Sequence, residues 1–575
     1  MHHTDLRGVP SGYDVVVIGA GAAGLSAALF SAIRGARTLV VEKSGFVGGT
    51  SALSAGSIWI PKTRHASEVA VSDSADNAER YLQQIIGNRA DANLRAAFLK
   101  AGPEAVDVLE SHSEVKLRAY PRHPDYRSEL EGAVVAGRAL EPLPFDGRLL
   151  GDSLRLVRPP IPEFTLLGGM MVDRTDIGHL LSATRSMKSL LHATRLLARY
   201  GRDRLSYPRG SRLVMGNALV GRLLYSLIQR DVDILTDTSL EKIVRDASGR
   251  VTSAVLISGG VTRDIGIRDG LILAGGGFSR HAGRRFAMLR TDVAWSAVAP
   301  GASGDAQDKA IEVGARISDR DLSAAFWAPA SIRRRRDGSQ AVFPHFVLDR
   351  GKPGTLVVDS NGRRFVNEAI SYHQFALEML ANGNSAIPAF LIADAVALRK
   401  YGLGMVRPGG WGTRAALADG YLIAADSIEQ LAQRLKIDSD RLRETVEKMN
   451  GYAKTGLDLE FGRGSTVYQN HNGDASAAGA NPNLGPIATA PFYALRLYPS
   501  DIGTSAGLVT DESARVLDAG SRPISGLYAC GNDMQSIMGG TYPGPGITLG
   551  PALAFAYLAA SDATRILASS RTGLS

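Results

Sequence analysis

The chain opens on an apolar run with no polar face. Tyr13-Asp14-Val15-Val16-Val17-Ile18 predicts a short strand buried on both sides. Glycines follow, and then Ala, Leu and Phe recur at helical spacing over roughly 22–35. Thr38-Leu39-Val40-Val41-Glu42 predicts a second strand. Together these make a βαβ unit, whose crossover helix forces the two strands parallel.

Residues 75–110 read as helical, and 115–150, rich in Pro and Gly, as irregular. Residues 176–230 predict helices with basic faces. Alternation between Ile234 and Gly259 turns about Asp246-Ala247-Ser248-Gly249-Arg250, a hairpin signal. Gly270 to Phe278 predicts another buried strand, ending in Gly275-Gly276-Gly277. From about 290 to 490 the pattern changes to mixed helix and strand with longer polar connections, as in an inserted domain. A strand over Gly526–Asn532 and a helix from about Gly546 then resume the first domain. The division expected is 1–290 and 491–575 as one discontinuous domain, with 291–490 inserted. No internal repeat is visible.

Composition narrows this picture only a little. A chain of 575 residues, 45% hydrophobic and 21% charged, can bury more than one core. The single Cys530 excludes an internal disulfide and fits a reducing compartment. The N-terminus lacks the basic start and apolar core of a secretory signal. No stretch reaches the ~20 apolar residues of a membrane span. A cytoplasmic setting is therefore expected.

The net charge of +8 is mild for this length. Arg333-Arg334-Arg335-Arg336 reads as a solvated loop, and no reader motif or aromatic interleaving points to nucleic acid. The basic run over 185–230 admits peripheral membrane contact, against the plainer account of packed helices with an outer basic face. No His, Cys, Asp and Glu cluster has metal-ligand spacing, so no metal is expected.

The first turn carries chemistry. In Gly19-Ala20-Gly21-Ala22-Ala23-Gly24 the first glycine permits the turn, the second admits a pyrophosphate, and the third lets the helix approach the strand. The helix N-terminus presents its positive end to the phosphates. Glu42, at the end of the second strand, is placed to bond a ribose hydroxyl. After it comes Lys43, and then a stretch of small residues, Gly48-Gly49-Thr50-Ser51-Ala52-Leu53-Ser54-Ala55-Gly56. That backbone suits an extended cofactor such as FAD better than NAD. The late return of a Gly-ended strand at Gly531-Asn532 favours FAD too. The fold class expected is α/β: a discontinuous Rossmann-like FAD-binding domain with an inserted α+β catalytic, or capping, domain.

These motifs resemble the flavoprotein superfamily of fumarate reductases and 3-ketosteroid dehydrogenases. The resemblance runs on through Gly304-Asp305, Arg364-Phe365-Val366-Asn367-Glu368 and Gly550-Pro551-Ala552-Leu553. A dicarboxylate reductase needs fixed cations in its site. The stretch Met538 to Thr548 contains neither His nor Arg. Its Tyr542-Pro543-Gly544-Pro545-Gly546 instead resembles the 3-ketosteroid Δ1-dehydrogenases.

That resemblance implies a mechanism. Tyr542 hydroxyl and Gly546 N–H would hold the C3 ketone oxygen and acidify the C2 hydrogens, as an oxyanion hole does. Tyr372, in Ser371-Tyr372-His373-Gln374-Phe375, would take the C2 proton, and the C1 hydride would pass to the flavin. Tyr126, in Pro124-Asp125-Tyr126, would assist, because a phenol of ordinary pKa about 10 is a poor base; Tyr120 is its rival. Glycine at 546 is expected because a side chain would block the ketone. His373 and Cys530 read as structural. Expected cofactor contacts are Gly19–Gly24, Glu42, Lys43, Gly49, Thr50, Ser51, Ser54, Ala55, Gly56, Gly275, Gly276, Gly304, Asp305, Gly531, Asn532, Gly546 and Leu549. A 3-ketosteroid is the implied substrate, and an unidentified external acceptor, a quinone among the candidates, would reoxidise the flavin. A Δ4-(5α)-dehydrogenase and a fumarate-type reductase are the alternatives.

Overall fold

The structure is a computed structural model describing residues 2–289, 293–347, 349–477 and 479–565. Among them, the apolar run at the start becomes strand Gly12–Ile18, the centre of a nine-stranded sheet. Val15, Val16 and Val17 have no exposed surface. Strand Thr38–Val41 pairs parallel on one side and strand Val261–Leu273 on the other. Strand Pro523–Ala529 joins parallel to Val261–Leu273, so the chain's last segment completes the sheet begun by its first. The hairpin is present as Ser239–Arg245 against Val251–Ser258.

Helix Ala22–Ile33 covers this sheet and packs on the terminal helix Leu549–Ala563, both dominated by small residues that allow close approach. Gly24 shows how tight the join is: a Cβ there would lie 1.8 Å from the Gly19 carbonyl oxygen.

The inserted half is built on a seven-stranded sheet in which Phe492–Thr504 pairs with both Ala325–Arg334 and Ala389–Ala393. This thirteen-residue strand begins beyond residue 490, so the inserted sheet reaches past the division read from the sequence. These two partners lie a hundred residues or more before it, so its own pattern does not say which sheet it joins.

Three sequence expectations change. The stretch 115–150 is not wholly irregular: Leu117–Ala119 and Ala139–Pro142 pair with each other, and Ile58–Trp59 joins Ala139–Pro142. Strands this short leave no periodicity to read. Within 176–230 the last helix, Met215–Ile228, is buried nearly all round beneath helix Ala22–Ile33, and only the earlier ones carry exposed basic faces. The arginine run is not a free loop. Arg333 and Arg334 end a strand, Arg333 pairs with Asp419 at 2.6 Å and Arg335 with Glu163 at 2.7 Å. Among the described residues no helix is long and apolar enough to cross a membrane.

Candidate active site

The glycine turn ends the central strand. Gly19 has φ 105°, and a Cβ would lie 2.3 Å from the Ala274 oxygen, so strand packing excludes any side chain. Gly21 differs, because the nearest atom to a Cβ there is Ser51 Oγ at 3.9 Å. Gly49 and Gly276 likewise border space, with nearest atoms at 3.6 and 3.7 Å. Gly21 caps helix Ala22–Ile33 without a side-chain hydrogen bond. A bare glycine floor beside a helix N-terminus fits a pyrophosphate.

The other residues expected at the cofactor have partners within the chain. Glu42 accepts from Ala20 N–H at 3.0 Å and Ser44 N–H at 2.9 Å, so it holds the turn itself. Lys43 pairs with Asp305 at 2.6 Å and bonds Ser303, joining the second strand to the Gly304-Asp305 helix start. Thr50 Oγ1 accepts from Ala299 N–H at 3.1 Å, Ser51 Oγ from Ala22 N–H at 3.1 Å, and Ser54 Oγ from Gly56 N–H at 3.0 Å. Ala55 lies in this loop. A Cβ on Gly531 would lie 2.8 Å from the Ala23 Cβ, Asn532 follows it, and Leu549 starts the helix Leu549–Ala563.

Asp533 was not singled out by its sequence. Its carboxylate accepts from Gly275 N–H at 2.5 Å and Gly277 N–H at 2.9 Å, tying the two Gly-ended strands together. Burial pushes its pKa up to about 6. The third residue of Gly531-Asn532-Asp533 was the available signal.

The tyrosines named from the sequence meet in one buried cluster. Tyr126 hydroxyl donates to Tyr372 hydroxyl at 3.3 Å. The Tyr542 ring lies 5.8 Å from Tyr126 and 5.1 Å from Tyr372, centroid to centroid. Tyr126 N–H donates to Pro543 O at 2.9 Å, so the Pro-Asp-Tyr loop is fastened to the Tyr-Pro-Gly-Pro-Gly loop. Tyr120 stands one ring away, across His123, with its hydroxyl meeting Ser57 Oγ at 3.0 Å. Burial, first, and the neighbouring phenols hold Tyr126 and Tyr372 well above the ordinary phenol pKa; burial raises Tyr542 as well.

Gly546 is glycine for a different reason from the one expected. It has φ 94°, and a Cβ would meet the Ser57 carbonyl oxygen at 2.3 Å, so backbone crowding already excludes a side chain.

The surrounding residues explain the rigidity. Asp125 accepts from Trp59 Nε1 at 2.8 Å and pairs with Arg138 at 2.8 Å, pinning the loop that carries Tyr126. Tyr81 hydroxyl donates to Pro543 O at 2.6 Å. Tyr468, from a distant helix, packs its ring at 45° to that of Tyr126, centroids 4.7 Å apart, and nothing in its sequence context marks it. His373 is structural. Its Nδ1 accepts from Trp327 N–H at 3.1 Å, which leaves Nε2–H to donate to Gly540 O at 3.0 Å. Burial lowers its pKa to about 4, so it stays neutral. Cys530 is buried.

The FAD binding domain family matches residues 14–549. The chain belongs to it. FAD is its cofactor, and the floor at Gly21, Gly49 and Gly276 fits that group. The chain is 36% identical to the 4-oxocyclohex-2-ene-1-carboxylate 5-dehydrogenase of Sinomonas cyclohexanicum, over 100% of this chain and 97% of that protein. It is 34% identical to the 3-oxosteroid 1-dehydrogenase of Mycolicibacterium smegmatis, over 98% and 99%. The crystal structure of the 3-ketosteroid Δ1-dehydrogenase from Sterolibacterium denitrificans, in complex with 1,4-androstadiene-3,17-dione, superposes with TM-score 0.88 at 35% identity, covering 97% of this chain and 100% of that one. The likeness to 3-ketosteroid Δ1-dehydrogenases read from the motifs thus extends along the whole chain, and this protein is a flavin-dependent oxidoreductase.

Proposed function

We infer that the enzyme desaturates the A ring of 3-ketosteroids between C1 and C2, within steroid breakdown in the cytoplasm. The observation that carries this reading is the meeting of Tyr126, Tyr372 and Tyr542, from two loops and a helix start, in one buried cluster, with the Tyr126 loop fastened at Pro543. Bound FAD supplies the two-electron acceptor for the hydride that leaves C1. Tyr542 hydroxyl and Gly546 N–H hold the C3 oxygen, where negative charge develops as the C2 proton leaves. Tyr372, as its phenolate, takes that proton and becomes a neutral phenol, and the hydroxyl of Tyr126 stabilises the phenolate beforehand by donating to it. The aromatic walls, Phe326 at 5.3 Å from Tyr542 and Phe346 at 4.9 Å from Tyr372, exclude water from the reacting carbons. Turnover requires an acceptor outside the chain, for which a quinone has suitable two-electron chemistry.

A second reading has its own support. The 36% identical relative is named for a small ring ketone bearing a carboxylate. Beyond Tyr126 lie His123 and His471, with rings 5.8 Å apart, and Arg174 stands 5.0 Å over the Tyr120 ring. His123 Nδ1 is buried without a hydrogen-bond partner among the described residues. Such a polar end suits a carboxylate better than a steroid ring.

One anaerobic experiment separates these. The yellow protein is mixed with androst-4-ene-3,17-dione, with a 5α-saturated 3-ketosteroid, or with 4-oxocyclohex-2-ene-1-carboxylate, and flavin bleaching is followed. Bleaching by the first, with a product two mass units lighter, is the expected outcome. Bleaching by the 5α-steroid alone indicates Δ4 chemistry, and by the carboxylate alone the second reading. Reoxidation of reduced flavin by fumarate with no response to any ketone overturns the proposal.

A further inference from the structure

Helices Arg174–Leu181 and Met187–Asp203 form a pair beside the site. His192 bonds Asp176 at 2.8 Å, and the His179 and His192 rings lie 4.4 Å apart. The second helix turns Ala193, Leu196 and Tyr200 inward, where Leu196 and Tyr200 pack with Met170 and Val172. With its apolar stripe buried, a surface helix ordinarily shows water a polar opposite face. This one does not. Met187 is 79% exposed, Leu190 47%, Leu191 48% and Leu197 44%, and Leu181 and Leu205 extend the patch at its two ends.

The rim of this patch is basic. Lys188, Arg195 and Arg202 recur every seven residues and line one edge, with Arg185 and Arg204 at the ends. Between 185 and 205 the sole acidic residue is Asp203, which is buried and accepts from Ser211 N–H and Oγ. A second copy of the chain is a poor occupant, because a two-fold contact would set one cationic rim against another. An anionic bilayer takes up both features at once: acyl chains receive the leucines, and phosphates the lysine and arginines.

We propose that the exposed face of helix Met187–Asp203, with Leu181 and Leu205, docks the enzyme on anionic phospholipid. Contact is peripheral, since among the described residues no helix can span a bilayer. The docked face adjoins the tyrosine cluster. Arg174 begins the partner helix and stands over Tyr120, whose ring meets His123 at 5.2 Å, and His123 in turn neighbours Tyr126 at 6.4 Å. The proposal does not depend on which ketone is the substrate.

Sedimentation of the holoenzyme with vesicles of phosphatidylglycerol, or of phosphatidylcholine alone, tests it. Sedimentation with phosphatidylglycerol, weakened by salt and nearly absent with phosphatidylcholine, is expected. Leu191→Glu combined with Leu197→Glu lowers the partition coefficient about tenfold or more, while flavin content and melting temperature stay at the wild-type values. Lys188→Glu with Arg195→Glu does the same. Failure to sediment with either lipid, equal binding to both, or undiminished binding of the leucine variant overturns the proposal. So does a dimer in lipid-free buffer that the leucine variant abolishes, which assigns the face to a second copy.

Discussion

In the proposed mechanism Tyr372 acts as a base from a place that keeps its phenolate scarce. Burial and the neighbouring phenols hold it above the ordinary value of about 10. Only its phenolate accepts the proton, so kcat/KM is expected to rise with pH through the neutral and moderately alkaline range, with no plateau below pH 10. A plateau near pH 7 assigns the base to another group. Tyr372→Phe should lower turnover about a hundredfold or more. Tyr126→Phe should lower it about tenfold, the loss of one hydrogen bond, with the slope of the pH profile unchanged. His373 gives a stability prediction of opposite character. Unfolded, it takes a proton below the usual 6.5; folded, it resists until about 4. The unfolded state therefore binds more protons in that window, and stability falls as pH drops from 6.5 to 4, by about 3 kcal/mol in all. In urea titrations His373→Gln should start less stable at pH 7.5 yet lose less by pH 4.5. Parallel losses in the two proteins contradict this account.

At the scale of elements, the glycines of the first turn serve the separate ends that the motif assigns them, and the space around each position distinguishes those ends. A Cβ at Gly24 collides with the Gly19 oxygen, so Gly24→Ala must push helix Ala22–Ile33 off its strand. A Cβ at Gly21 has room within the chain, its nearest atom being Ser51 Oγ at 3.9 Å, so with a pyrophosphate on this floor the Cβ would crowd the cofactor and not the fold. Gly21→Ala is thus expected to keep the wild-type circular dichroism spectrum and hold FAD about tenfold more weakly or worse. Gly24→Ala should lose both cofactor and stability. Equal behaviour of the two variants, measured by flavin-to-protein absorbance and thermal melting, would remove the distinction. The turn was legible because its φ values, its strand and its helix are all local. Tyr126, Tyr372 and Tyr542 were legible through short flanking motifs. Tyr468 was not, since it acts on residues far off in sequence with no local pattern of its own, and Asp533 was passed over although it closes the Gly531-Asn532-Asp533 turn, since its partners lie far off in sequence.

For the molecule as a whole, the decisive feature is a strand that the sequence left on the wrong side of a boundary. Phe492–Thr504 is the centre of the inserted sheet, yet its far end reaches the cofactor domain. Asp501 sits there with no exposed surface, paired to Arg285 at 2.5 Å and accepting from Ser296 Oγ at 3.1 Å. Arg285 belongs to helix Ala282–Leu289, which follows the Gly-ended strand of the flavin sheet, so this buried ion pair is one link between the two halves, beside hydrogen bonds such as His373 to Gly540 O. Arg285 also donates to the carbonyls of Ser279, Val293 and Trp295, and these keep it in place if the carboxylate goes. Asp501→Ala then leaves a largely buried cation uncompensated, at a cost of about 3 kcal/mol. Because the lost interaction lies between sheets and not within either, the damage should fall on their cooperation. Heating the native enzyme should release flavin and shift tryptophan emission together, with Trp295 and Trp327 reporting from the inserted sheet. In Asp501→Ala the two signals should part, one half melting before the other. A single transition moved down in temperature, with both signals still coincident, would show that the halves are joined by their wider packing and not by this pair.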